Sequence, residues 1–330
     1  MRQTLQAVVV LLVWLAGSCL AGCSGAGAPA RSGRLTALEA VAGDHLTALL
    51  HVKRWFGILY PTPPARPCST GATRLKPQPG DPPGSMRMRL ALSDCTKIEV
   101  LQRKDGSGSQ VVTFPDGRQK TVTWGVARRE PGWVKQDVSE ALWDGHRLDY
   151  EVGIGTAGDP YDRYERGTAT LADGRMMGIR HDRNLNRDAV ELRPDDGSQL
   201  QFETPLASVG GKPFQPVHET GAAGTFTSPE GRRHAFAVRG ASGDGWRTWD
   251  FSTDAGTTAR LTLDADLAGS GTLSEDGEVA ALLRWAADGR GTLTPLGAAD
   301  IAITPSAAAR DFRIDQWIHN VAALGPSPMY

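Results

Sequence analysis

The chain has 330 residues, 40 % of them apolar and 22 % charged, with a formal net charge of −1. That balance excludes a disordered chain and gives no electrostatic reason to expect a nucleic-acid partner. The 39 glycines and 9 tryptophans suit a turn-rich β protein with aromatic strand positions.

Arg2 is the one charge ahead of Cys23, and Ala7 to Ala16 is an unbroken apolar run. A helix needs about 20 apolar residues to span a bilayer, so this run fits a signal-peptide core instead. Gly17 and Ser18 follow, and then Leu20-Ala21-Gly22-Cys23. This segment resembles the bacterial lipoprotein class, whose lipobox asks for an aliphatic residue, two small ones and a cysteine. The resemblance covers the first two dozen residues and implies nothing about the domain beyond. It implies that residues 1–22 are removed as a signal peptide and that the Cys23 thiol carries a diacylglyceryl group. Further acylation, of the palmitate type, makes anchoring stable where a single chain binds only marginally. The chain is then exported and lipid-anchored to the bacterial cell membrane or outer membrane. Ser24, in place of an aspartate, points toward the outer membrane where the organism has one.

Residues 23–34 are the lipidated cysteine and a Gly-rich flexible tether. Over 35–60 the spacing predicts an amphipathic helix. Leu35, Leu38, Val41, Ala42, His45, Leu49, Val52 and Phe56 fall on one face. Its mixed-charge polar face favours packing of the apolar stripe on a sheet over lying on lipid. Pro61, Pro63 and Pro64 stop it, and no regular element is expected over 61–85. Cys19 leaves with the signal and Cys23 is claimed by lipid. That leaves Cys68 and Cys95 as an even pair in a compartment that permits disulfides.

Over 86–325 the pattern changes to period two, as in Thr121-Val122-Thr123-Trp124. Asp105, Asp116, Asp144, Asp173, Asp196, Asp244, Asp276 and Asp288 are each followed by glycine, and Glu230-Gly231 is a variant. Asp-Gly between alternating strands signals a hairpin, with a type I′ turn expected. The fold class is therefore mainly β: an antiparallel meander of serial hairpins, forming a curled sheet, a sandwich or a barrel-like closure. The N-terminal helix precedes it. A short helix over 315–324 follows, and the tail at 326–330 frays.

Catalytic chemistry is not evident, no cofactor motif is present, and the seven histidines lack metal-ligand spacing. Asp182, Asn184, Asn186 and Asp188 alternate as in a cation loop. Arg187 and Arg193, however, occupy places where such a loop wants glycine and glutamate. These four are weak metal candidates, and a polar turn between strands is the expectation. Asp159, Asp162 and Glu165, with Tyr161 and Tyr164, form an acidic, aromatic cluster suited to a sugar or a carboxylate pair. Arg163 and Arg166 are its expected salt partners, in a solvated loop. Trp246 and Trp249 would take opposite faces of a strand. The leading reading is a cell-envelope lipoprotein whose β-rich domain is a binding or structural module for an envelope protein or a glycan. The competing reading is an envelope hydrolase acting on glycan or peptide through carboxylates. Two carboxyl groups in one cleft would favour it.

Overall fold

The computed structural model describes residues 33–59, 66–156, 162–209, 212–216, 221–240, 246–264 and 268–314. Cys23, the signal segment and the expected 315–324 helix lie outside the described residues. Two compact units divide at Ala37. The described part of the first is the opening of helix α1 (Gly33–Leu59). The second, Leu38–Tyr330, holds the remainder of α1 and the sheet.

The meander begins with β1 (Gly71–Leu75), β2 (Met86–Ala91), β3 (Lys97–Gln102), β4 (Gly108–Thr113), β5 (Gln119–Trp124) and β6 (Arg128–Glu130). It continues through β7 (Trp133–Ala141), β8 (Arg147–Gly155), β9 (Arg163–Thr170), β10 (Met176–Arg183), β11 (Arg187–Pro194) and β12 (Gln199–Val209). After β13 (Lys212–Pro216) come β14 (Ala222–Thr227), β15 (Arg233–Gly240), β16 (Trp246–Thr253) and β17 (Thr258–Leu263). The last strands are β18 (Gly269–Glu275), β19 (Glu278–Trp285), β20 (Gly291–Pro295) and β21 (Ile301–Ile303), before a short helix α2 (Ala307–Asp311).

Twenty strands form one open antiparallel sheet; β13 pairs apart, with the end of β12. Most strands pair with their neighbours in sequence. Two pairings skip a strand: β7 pairs along its length first with β6 and then with β5, and β12 pairs with β14 past β13. The β1 strand falls inside the 61–85 stretch expected to be irregular. Its pairing with β2 supplies the backbone partners that its flanking prolines and glycines hide from a local reading. Cys68 lies just ahead of β1 and is bonded to Cys95 in the β2–β3 turn, with the Cα atoms 5.2 Å apart.

The Asp-Gly turns differ from the expected type I′, which needs positive φ at both central residues. Gly106, Gly117, Gly145 and Gly174 have positive φ, but the aspartates before them do not; among the described Asp-Gly pairs only Asp276 does, at 52°. The repeated geometry is visible at 114–118. Gly117 N donates to the Phe114 carbonyl at 2.9 Å, and Phe114 N donates to the Arg118 carbonyl. Asp116 Oδ1 accepts from Arg118 N. This is a type I turn closed by a glycine bulge. An aspartate that bonds the amide two residues on stabilises it without visiting the left-handed region. Thr253 to Thr257 makes the same turn without an Asp-Gly pair.

The strands alternate buried and exposed, cleanly in β5 and β17, so one face is wet and the other packed. Glycines sit opposite large rings. A Cβ at Gly108 would overlap Trp124, and one at Gly153 would overlap the ring of Tyr164. Both are registered cross-strand pairs.

Helix α1 was expected to bury one stripe. Instead every residue from Asp44 to Val52 is at most 8 % exposed. A surface helix shows solvent to half its circumference; this one has partners on all sides. His45 stacks on Phe251 of β16, Trp55 meets His181 of β10, and Asp44 bonds His234 of β15. Thr47 Oγ1 accepts from Ser306 N at 2.9 Å. The sheet's packed face therefore receives the helix. Among the described residues no helix is long and apolar enough to cross a membrane.

Candidate functional site

The packed face carries an unusual number of polar groups. In β5, Lys120 shares the phase of Val122 and Trp124, and all three are buried. Its Nζ lies 2.6 Å from Glu140 Oε2, with neither side chain exposed. Tyr150 of β8 donates to the other Glu140 oxygen at 2.9 Å. Burial pushes the Glu140 carboxyl up, with Lys120 opposing.

Three strands on, Glu165, His181 and Asp188 form a second group, each at most 5 % exposed. His181 is registered opposite Glu165. Its Nδ1 stands 3.3 Å from Glu165 Oε2, and its Nε2 contacts Asp188 Oδ1. Arg163 donates to Glu165 Oε1 at 2.7 Å. Burial alone would lower the imidazole, but Asp188 and Glu165 outweigh it and raise His181 to about 9. Burial alone would raise Glu165, but Arg163 and His181 hold it at about 2. An imidazole with a carboxylate on each nitrogen is a cation with no lone pair to offer. It cannot serve as a general base in this arrangement. The two carboxyls flanking it face the interior, not a cleft. This group ties β9, β10 and β11 together.

Helix α1 adds polar groups of its own. Asp44 Oδ2 meets His234 Nε2 and Arg232 Nε, each at 2.8 Å. The ring nitrogens of His45 and His51 find no partner among the described residues. Burial lowers both histidines, His51 to about 3. Among the described residues no group of three His, Cys, Asp or Glu is placed to hold a metal.

At the rim, where β7 and β9 to β11 end, lies a pocket of about 180 Å³. Trp133 and Tyr164 meet edge to face there, centroids 5.0 Å apart. Tyr164 is 6 % exposed and donates to Glu151 at 2.6 Å. Arg163, Arg166, Arg183 and Arg187 also line the pocket, with Asp162 and Asp182. A shallower groove of about 480 Å³ runs over the wet face past Glu191 and Gln201. Glu191 is already committed to Arg193, Gln199 and Gln201.

The structure disperses the four alternating oxygen residues. Asp182 pairs with Arg166 and Arg180 on the wet face, whereas Asp188 turns inward to His181. Asn184 Oδ1 accepts from the amides of Asn186 and Arg187, an Asx turn joining β10 to β11. That is the polar turn expected there. The DPYDRYER segment, expected as a solvated loop, enters strand β9 at Arg163. Its Tyr164 and Glu165 are both buried, because β8 and β10 pair on either side of it. Asp159 and Tyr161 lie outside the described residues. Trp249 is fully buried, and the Trp246 side chain lies outside what is described.

The interior network has a signature in the sequence. Lys120, Glu140, His181 and Asp188 each stand in the phase of the apolar residues of their strands. A charge in the core phase of a strand is a buried charge unless the register slips. No family model matches this chain, and no curated protein matches it.

Proposed function

We propose that this chain is an exported bacterial lipoprotein, held to the membrane through acylated Cys23, whose β-rich domain binds or scaffolds a partner in the cell envelope. Leu20-Ala21-Gly22-Cys23 behind a short apolar run carries this reading. The Cys68–Cys95 bond agrees with it, since disulfides persist in exported proteins and are rare in the cytosol. The buried carboxylates act as structural counter-ions, which speaks for binding rather than hydrolysis. The rim pocket, built from aromatic and charged side chains on rigid strands, is the place for a ligand. Substituting Cys23→Ala and fractionating the cells tests the anchor. Release into the soluble fraction is expected; retention in the pellet after a carbonate wash would overturn it.

A further inference from the structure

The rim pocket has a chemistry of its own. Among the described residues four guanidiniums and two carboxylates line it, so cations are in excess there. Two of the arginines are lightly committed. Arg166 is about half exposed, and one Nη2 reaches Asp182 at 3.2 Å. Its guanidinium plane lies over the Tyr164 ring at 4.3 Å, which orients the fork while leaving N–H donors at its edge. Arg187 is more than half exposed, and Glu203 stands 3.8 Å away, beyond hydrogen-bond length. Arg163 and Arg183 stand over the buried carboxylates Glu165 and Asp188. Trp133, half-buried, is held by its edge-to-face contact with Tyr164. Tyr164 is fixed in turn by Glu151 and by the space that Gly153 leaves for its ring. An indole anchored in this way is a rigid platform. Guanidinium forks match carboxylate and phosphate oxygens in pairs, and the C–H face of a sugar ring packs on an aromatic face.

We propose that this pocket binds an oxyanion carried on a sugar ring, the class of hexuronates and sugar phosphates. The anion sits between Arg166 and Arg187, and the ring lies against Trp133. This rests on reading the domain as a binding module and names the ligand class of its site. Asp162 and Asp182 sharpen the selection, because they accept from sugar hydroxyls and repel an anion placed away from the arginines.

Calorimetric titration of the purified full-length chain in non-ionic detergent tests it, with glucuronate, inorganic phosphate and glucose as separate probes. Saturable binding of glucuronate is expected, tighter than phosphate, which lacks the ring, and tighter than glucose, which lacks the charge. Removing a charged hydrogen-bond partner weakens such a contact roughly tenfold or more. Arg166→Ala and Arg187→Ala should each show that loss for glucuronate with an unchanged unfolding midpoint. Trp133→Ala should weaken glucuronate and leave phosphate as it was. Glucose binding as tightly as glucuronate would overturn the oxyanion class while leaving a binding domain. Binding of none of the three, or affinities unmoved by either arginine substitution, would overturn the site. None of these results bears on Cys23, whose anchoring is decided by fractionation.

Discussion

Lys120→Met is the sharpest test of the interior network. Lys120 Nζ and Glu140 Oε2 are 2.6 Å apart, and neither side chain is exposed. Removing the ammonium leaves a carboxylate in the core to which Tyr150 donates at 2.9 Å. An uncompensated buried charge costs about 3–5 kcal/mol, whereas removing both partners of such a pair is often neutral. That loss is roughly a third of the stability of a typical domain. With a urea slope of about 3 kcal/mol per molar, the midpoint should fall by about 1–1.7 M. The double variant Lys120→Met/Glu140→Gln should recover most of the loss, since the amide oxygen at position 140 still accepts from Tyr150. Equilibrium urea unfolding followed by tryptophan fluorescence reads all three proteins. A single variant within about 1 kcal/mol of wild type, or a double variant no better than the single, would refute the reasoning.

Two further perturbations follow from the same interior. His45 and His51 are held neutral by burial, His51 down to about 3. The unfolded chain therefore binds more protons below its ordinary histidine value. Stability should fall with pH below about 6.5, by up to about 1.4 kcal/mol per pH unit for each histidine. His181 has the opposite sign. Raised to about 9, it contributes in full below about 6.5 and loses that contribution as pH rises toward 9. Urea midpoints from about pH 4 to about pH 9 should peak near 6.5. His181→Gln should flatten the alkaline limb, and a flat wild-type profile would contradict both assignments. The Cys68–Cys95 bond closes a separation of 27 residues, so Cys68→Ser/Cys95→Ser should cost about 3.5 kcal/mol on the chain-entropy model. Free thiols at both positions in the unreduced protein would remove the basis for that figure.

The meander was legible because hairpins are local. Each strand needs only its own alternation and the turn beside it, and Asp-Gly marks eight of those turns. The turn type was not legible from the dipeptide alone. It depends on whether the aspartate enters the left-handed region or bonds the amide two residues on, as Asp116 does with Arg118. Strand β1 was hidden because Gly71-Ala72-Thr73-Arg74-Leu75 has little intrinsic pattern and is stabilised by β2. The environment of α1 was hidden for a related reason. Asp44 and Thr47 suggest a wet face, yet His234 and Ser306 cover them from more than 180 residues away in sequence. The rim pocket shows the same division. Arg163, Tyr164 and Arg166 are neighbours in sequence, but Trp133 and Arg187 join them only through the pairing of β7 to β11.

Anchoring through Cys23 is the central claim, and the mature N-terminus tests it most directly. Mass spectrometry of the tryptic N-terminal peptide from membranes should find a chain that begins at Cys23, ends at Arg31 and carries the mass of a diacylglyceryl group. A peptide that retains residues before Cys23, or that begins at an unmodified Cys23, would contradict it.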